Sequence, residues 1–202
     1  MAKYFGREKV LTSESIKPTS YMTVLLNRNY VVPEMNDLLR DVDVVLKASE
    51  VQIRFLDANF PFFNGFPLLP HLSHKDGKKL DLSLVYETEK GNISHLAKSR
   101  SGYGIFVEPK DHEFNQVKKC LDLGYFQYDY PKYLTLGKTN TSLHFSETGT
   151  KKLINAILQN SDLEKLFIEP HLKQRLKLTD TRIRYHGCRA VRHDDHIHIQ
   201  VR

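Results

Sequence analysis

Apolar residues recur at helical spacing in two segments of the chain. After Pro33 they return every three or four positions, at Leu38, Leu39, Val42, Val45 and Leu46. This spacing predicts an amphipathic helix with Pro33 in its first turn, where the missing N–H of proline has no cost. The segment SETGTKKLINAILQN repeats the pattern and opens with Ser and Thr residues that can cap a helix, so a second helix is expected there.

Three other segments alternate apolar and polar residues, which is the pattern of a strand with one buried face. They are VQIRFL at 51–56, LDLSLVY at 80–86 and HIHIQVR at 196–202. In the second of these the leucines share one face, so Asp81 points to the other. We also predict a strand in LEKLFIEP and a short helix in HLKQRLKL.

The remaining segments are less regular. Residues 59–70 contain three prolines and a glycine, which predicts a rigid loop over the core. Residues 87–145 are predicted to form short strands joined by long loops. The first 20 residues are polar and contain Pro18, so we expect an N-terminal arm over residues 1–20 and a single domain over 21–202. Together the elements predict an α+β fold, with a small, mainly antiparallel sheet flanked by helices and long loops.

Composition and charge narrow the class of protein. With 27% charged and 40% hydrophobic residues, the chain should fold rather than remain disordered. A formal charge of +6 favours anionic partners. Lys and Arg are spread along the chain, so a solvated surface explains them better than a nucleic-acid interface does.

Cys120 and Cys188 form no CxxC pair and fit either a disulfide or two buried thiols. No apolar run reaches the roughly 18 residues of a membrane span, and no secretory signal is visible.

Candidate chemistry lies in two histidine clusters, PHLSHKDGKKLDL at 70–82 and HDDHIHIQVR at 193–202. His196 and His198 are two positions apart on a predicted strand, so both imidazoles project from one face. Either or both could bind a first-row divalent metal. A catalytic zinc ion takes three N or O ligands from the protein and keeps a fourth position open for water. His74 and Asp81 could complete such a set, because Asp76 and Gly77 allow the chain to reverse between them.

These motifs resemble those of a known family. The chain has His-x-x-His-x6-Asp at His71, His74 and Asp81, and a closing His-x-x-His-x-His at His193, His196 and His198. The pattern resembles zinc peptidases of the lysostaphin, D-Ala-D-Ala peptidase and hedgehog group, and within it the penicillin-insensitive murein endopeptidases. The resemblance implies that zinc is bound by His74, Asp81 and His198. It also implies that His71, His193 and His196 line the site, with His196 as an outer residue or a donor to the transition state.

Two residues compete for the role of general base. Asp195 stands three positions before His198, as the base does in D-Ala-D-Ala peptidases, whereas His193 matches the murein endopeptidase pattern, which we favour slightly. Neither shares the strand face of His198, so whichever acts must lie in a bend before the strand. Asp194 is expected to orient a histidine. Arg54 loosely resembles an arginine that steadies the oxyanion in some relatives.

The sequence therefore predicts zinc-dependent hydrolysis of a peptide bond in murein, at a cross-link that involves D-amino acids. Related activities share the same motifs, namely D-Ala-D-Ala dipeptidase, carboxypeptidase and L-Ala-D-Glu endopeptidase. A zinc-stabilised binding module without turnover is a further alternative, and a nucleic-acid binder rests on charge alone. A murein substrate implies a periplasmic or cell-envelope location, for which the sequence shows no export signal.

Overall fold

The centre of the protein is a six-stranded sheet. The computed structural model describes residues 5–69 and 71–202. In spatial order the strands are β10 (Ile183–Arg184), β9 (Leu163–Phe167), β11 (His196–Val201), β5 (Lys79–Ser83), β4 (Ile53–Phe55) and β2 (Ile16–Pro18). Strand β11 is antiparallel to both β5 and β9, and β5 is antiparallel to β4. The two outermost pairs, β10 with β9 and β2 with β4, are parallel. The prediction of a mainly antiparallel sheet is thus confirmed.

Two smaller sheets flank the central one. Strand β1 (Glu8–Lys9) pairs with β3 (Tyr30–Val31), and β6 (Tyr86–Glu87) lies between β7 (Ile93–Ser94) and β8 (His144–Phe145). The described part of the predicted N-terminal arm is therefore built into two sheets, and Ile16 is fully buried. Its first four residues lie outside the described part of the chain. The polar composition of this segment concealed its pairing, because β2 is a short edge strand in which exposed Lys17 stands between buried Ile16 and Pro18.

The described residues form five α-helices and one 3-10 helix. They are α1 (Tyr21–Leu25), α2 (Pro33–Leu46), α3 (Gln116–Asp122), α4 (Glu147–Leu158) and α5 (Pro170–Arg175), with a 3-10 helix at Phe126–Tyr133. Both predicted long helices are confirmed. Helix α2 begins at Pro33, and α4 is capped by Ser146, whose hydroxyl accepts a hydrogen bond from the N–H of Gly149. Helices α2 and α4 pack together, and α2 contacts β11.

The segment 87–145 differs from its prediction. Its short strands β7 and β8 are present, but α3 and the 3-10 helix also form there. Helix α3 is capped by Asn115, whose side chain accepts from Lys118 N–H. These elements surround a small apolar cluster of Val117, Cys120 and Tyr128. Cys120 and Cys188 form a disulfide, which was one of the two states that the sequence allowed.

The two faces of the central strands differ in character. Leu80, Leu82, Ile197 and Ile199 are fully buried in the main core, against residues of α2 and α4. The opposite face of the same strands carries the polar residues that form the candidate site. Within the described residues, no helix has the length and apolarity that a membrane crossing requires.

Candidate metal centre

The register of β5 and β11 brings the two sequence motifs together. His198 lies opposite Asp81 and His196 lies opposite Ser83. Because side chains alternate along a strand, these four residues project from the same face, away from the apolar core. All four are buried, since loops cover this face.

Three ligand atoms converge above this face. His74 Nε2 lies 3.1 Å from His198 Nδ1 and 3.3 Å from Asp81 Oδ1, and His198 Nδ1 lies 2.9 Å from Asp81 Oδ1. Ligand atoms around a tetrahedral zinc ion, each about 2.0–2.1 Å from the metal, are separated by about 3.3 Å. The triangle formed by His74, Asp81 and His198 therefore has the dimensions that a divalent ion of this size requires.

The imidazole of His74 is held with its free lone pair towards the triangle. Its Nδ1 lies 2.5 Å from the carbonyl oxygen of Ala58. A carbonyl oxygen only accepts, so Nδ1 carries the proton and Nε2 is left as an acceptor or ligand. This orientation of a histidine by a carbonyl is the arrangement found around metal ligands.

The reversal between His74 and Asp81 depends on Gly77. Its φ of +81° favours glycine, and a Cβ there would lie 3.0 Å from side-chain atoms of Arg7 and Val32. Arg7 is itself buried and donates to the carbonyl oxygens of Phe60 and Lys75, so it fastens this turn to the preceding loop. The predicted bend at Asp76 and Gly77 is confirmed.

A second group of three residues shares two members with the triangle. His71, His74 and Asp81 each offer a ligand atom within 4.8 Å of the others, so this buried cluster could hold a metal ion. His71 Nδ1 approaches the other carboxylate oxygen, Asp81 Oδ2, at 3.4 Å. His71 and His198 therefore contact different oxygens of Asp81, and the group with His198 is the more compact.

The outer oxygen of Asp81 is also bound by a tyrosine that the sequence analysis did not single out. The hydroxyl of Tyr103 donates to Asp81 Oδ2 at 2.9 Å and accepts the N–H of Asp57 at 3.0 Å. Tyr103 belongs to the segment 87–145, whose loops have no periodic pattern. No spacing in the sequence connects it with Asp81.

His196 and Asp195 form a buried pair beside the triangle. His196 Nδ1 lies 2.5 Å from Asp195 Oδ1, and Asp195 Oδ2 accepts the N–H of Gly104 at 2.6 Å. His196 Nε2 is buried without a hydrogen-bond partner in the described residues and lies 3.8 Å from Asp81 Oδ2. Both oxygens of Asp195 are thus engaged, while His196 presents an unpaired nitrogen to the site.

The residues before β11 form the predicted bend, at Asp194 and Asp195. Glu169 fixes this bend from below, because Glu169 Oε1 accepts both the N–H of His193 at 2.9 Å and the hydroxyl of Tyr128 at 2.7 Å. The ring of His193 lies 4.7 Å from the ring of His196 and stacks on His186. Glu169 and His186 are further site residues that the sequence analysis missed.

Two predicted residues lie apart from the triangle. The carboxylate of Asp194 pairs with Arg192, and the histidine near it is His171, 3.7 Å away, rather than one of the predicted site histidines. Arg54 lines a small hollow with Ser83 and His95, and its Nε is buried without a hydrogen-bond partner in the described chain. Neither residue contacts His74, Asp81 or His198.

Burial and neighbouring charges set the protonation of the site residues. Burial alone would raise the pKa of Asp81, but its electrostatic interactions with His74 and His196 and its hydrogen bond with His198 hold this pKa well below its usual range. Burial lowers the pKa of His198 to about 4, against the opposing effect of Asp81. Burial would also lower the pKa of His196, yet Asp195 and Asp81 raise it to about 9. At neutral pH the carboxylate is therefore ionised and His198 is neutral, as metal ligation requires.

A cavity of about 200 Å³ adjoins the site. His71 and Tyr103 separate it from Asp81, and its polar end is the ion pair of Arg28 with Asp57. The other walls are mainly apolar and include Leu26, Leu134 and Leu136. A larger, open groove of about 820 Å³ runs past Asp43 and Glu50, and no predicted site residue lines it. We therefore regard the smaller cavity as the one relevant to the site.

Comparisons with known proteins leave the family unassigned. No protein-family model matches the chain, and a search of curated proteins finds no match either. The resemblance of the two histidine motifs to zinc peptidases remains an expectation from sequence.

Proposed function

We propose that the protein is a zinc metallopeptidase that hydrolyses a peptide bond in murein, at a cross-link involving D-amino acids. The observation that carries the proposal is the triangle of His74 Nε2, Asp81 Oδ1 and His198 Nδ1, with all sides between 2.9 and 3.3 Å. Two imidazoles and one carboxylate are a ligand set typical of catalytic zinc, which keeps a position free for water. The same three residues are the ligands that the motif resemblance implies.

Zinc bound there would lower the pKa of a water molecule and polarise the scissile carbonyl, so that hydrolysis can proceed near neutral pH. The protein's own residues must then handle the proton and the developing negative charge. We assign the second task to His196. Its Nδ1 donates to Asp195, and its unpaired Nε2 faces the site, so His196 can donate a hydrogen bond to the oxyanion.

We assign proton transfer to His193 rather than to Asp195. Both oxygens of Asp195 already accept hydrogen bonds, from His196 and from the N–H of Gly104, so this carboxylate orients its neighbours. The backbone of His193 is fixed by Glu169, and its ring lies beside that of His196. This arrangement lets His193 carry a proton towards the leaving amine.

Two properties outside the site are compatible with a murein substrate. The disulfide between Cys120 and Cys188 is of a kind that persists in oxidising compartments such as the periplasm. The formal charge of +6 would favour contact with an anionic polymer.

The proposal is tested by zinc content and product mass together. Purified protein should contain about one equivalent of zinc by mass spectrometry, and His74→Ala should contain none. His112→Ala, which changes an exposed histidine, serves as the matched control. Incubated with cross-linked muropeptide dimers, the zinc-loaded protein should release two monomers.

Other products point to the alternatives. Release of D-Ala, or cleavage between L-Ala and D-Glu, would identify one of the related peptidase specificities. Binding of muropeptides without any product would identify a non-catalytic zinc module. Absence of zinc from the wild-type protein, or its retention by His74→Ala, would contradict the proposal at its first step.

A further inference from the structure

The two carboxylate oxygens of Asp81 have different surroundings. Oδ1 completes the triangle with His74 and His198, at 3.3 and 2.9 Å. Oδ2 faces the other way, towards Tyr103 at 2.9 Å and His71 at 3.4 Å. A carboxylate can ligate a metal through one oxygen or through both, so what binds Oδ2 decides which form is available.

We propose that Tyr103 is a positioning residue that limits Asp81 to one coordinating oxygen, and so selects His198 rather than His71 as the third ligand. The inference rests on the proposed metal site. The direction of the hydrogen bond follows from the neighbours of the hydroxyl. The Tyr103 oxygen accepts the N–H of Asp57, so its own proton is directed to Asp81 Oδ2.

The position of the phenol is fixed by the loop that carries it. Gly102 and Gly104 flank Tyr103 with φ of +87° and +79°. A Cβ on Gly102 would lie 2.2 Å from a Leu56 side-chain carbon, and one on Gly104 would lie 2.3 Å from the carbonyl oxygen of Pro131. Both positions therefore require glycine, because of backbone conformation and of space. Leu56 and Pro131 therefore restrict the path of the loop backbone on either side of Tyr103.

Further contacts hold the same loop from both sides. The hydroxyl of Ser99 donates to the carbonyl oxygen of Tyr103 at 2.7 Å, and Gly104 N–H bonds to Asp195. The Tyr103 ring lies 4.9 Å from the ring of His71 and 5.1 Å from that of His196. Tyr103 therefore cannot turn its hydroxyl away from Asp81 without disturbing both histidines.

This arrangement separates the two possible ligand groups. The 3.4 Å contact of His71 with Asp81 is to Oδ2, the oxygen that also accepts from Tyr103, whereas His198 meets Asp81 at Oδ1. With Oδ2 engaged, Asp81 offers one oxygen to a metal. A single-oxygen carboxylate leaves more of the coordination sphere open to water and substrate than a bidentate one does.

The test is Tyr103→Phe, which keeps the ring and removes the hydroxyl. Zinc affinity is measured by competition with a chromogenic chelator, and the coordination number by the visible absorption of the Co²⁺-substituted protein. We expect zinc affinity to fall about 10- to 100-fold, the usual effect of losing a partner of a metal ligand. The Co²⁺ band should also weaken, because a second Asp81 oxygen raises the coordination number.

Ser99→Ala is the matched control, since it removes a hydrogen bond from the same loop and leaves the Tyr103 hydroxyl in place. It should keep the affinity and the Co²⁺ spectrum of the wild type. If Ser99→Ala reproduces both changes, Tyr103 acts only through the loop and the inference is overturned. Unchanged affinity and spectrum in Tyr103→Phe would overturn it as well.

A second pair of variants keeps the inference testable if Tyr103→Phe does not fold. His71→Ala should retain one equivalent of zinc, and His198→Ala should retain none. Loss of zinc from His71→Ala with retention in His198→Ala would reverse the ligand selection and overturn the inference, while the proposed zinc centre would survive with another third ligand. A wild-type protein that binds neither Zn²⁺ nor Co²⁺ would instead refute the proposed function, and the inference with it.

Discussion

The candidate site has two walls that are built in different ways. The strand wall consists of Asp81, Ser83, His196 and His198 on β5 and β11. The loop wall consists of His71, His74, Tyr103, His193 and the bend at Asp194 and Asp195. In the strand wall the backbone ladder fixes each side chain, and the reverse faces of the same strands are packed in the core.

In the loop wall, hydrogen bonds and ion pairs of side chains hold the backbone in place, as strand pairing does in the strand wall. Arg7 fastens the turn that carries His74, Glu169 holds the backbone of His193, and Arg192 pairs with Asp194. The difference shows that strand pairing positions the side chains of the strand wall, whereas single buried polar contacts position the side chains of the loop wall. Loss of one such contact should therefore damage the loop wall more than an equivalent loss elsewhere.

The largest effect is expected in the strand wall, where His198→Ala removes a proposed ligand without disturbing the ladder. Zinc content should fall from about one equivalent to none, while the circular dichroism spectrum stays that of the wild type. His144→Ala, on an exposed strand residue, should change neither quantity. A variant that unfolds would show that the strand wall also depends on its polar side chains, and the contrast between the walls would be lost.

The next effect tests the anchor of the loop wall. Arg192→Met leaves the fully buried Asp194 without its cation, and also removes the contacts of Arg192 to Asp129 and Glu108. We expect the free energy of unfolding in urea to fall by about 3–5 kcal/mol, the usual result of breaking a buried ion pair. Arg40→Met breaks an exposed pair with Asp37 and should cost about 1 kcal/mol or less. Equal losses in the two variants would argue against the side-chain anchoring of this wall.

The disulfide gives a smaller effect on the same wall. It joins α3 to the segment just before the bend, across 68 residues. Replacing Cys120 and Cys188 together by serine should lower the free energy of unfolding by about 2–4 kcal/mol, because the unfolded chain gains freedom. The wild type melted with a reducing agent should agree with the double variant, and without the reducing agent it should melt at a higher temperature. An unaffected melting temperature would show that the bend is held without this link.

The smallest effect concerns pH. The hydrogen bond from Arg175 lowers the pKa of Glu113 to about 2, below its ordinary value of 4.5. The pair therefore contributes its full stability above pH 4.5 and loses it as the pH falls towards 2, with a total of about 1 kcal/mol. The melting-temperature difference between the wild type and Glu113→Gln should be largest at pH 6 and shrink towards pH 2. A difference that grows on acidification would contradict this sign.

The strand wall was largely predictable from sequence, whereas the loop wall was predictable only in part. Period-2 alternation placed His196 and His198 on one face and Asp81 opposite the leucines, and the ladder confirms both. His74 was predicted from the spacing of a known motif and from the turn residues Asp76 and Gly77. Alternation, motif spacing and turn residues all act over a few neighbouring positions, so the sequence alone can reveal them.

The residues that were missed depend on contacts between distant segments. Tyr103 reaches Asp81 across 22 positions, and Glu169 reaches His193 across 24. Neither lies in a periodic pattern, and each meets its partner through contacts between segments that are distant in sequence. Arg54 illustrates the converse, because its strand was predicted correctly while its side chain extends towards Ser83 and His95.

The position of β11 in the sheet has a consequence for biosynthesis. This strand lies between β9 and β5, although it follows both along the chain. A nascent polypeptide that ends before residue 196 has a gap in the middle of its sheet and lacks His196 and His198. If the proposed metal centre forms, metal capture would have to wait until this strand has left the ribosome, so that shorter translation products would not carry an assembled centre.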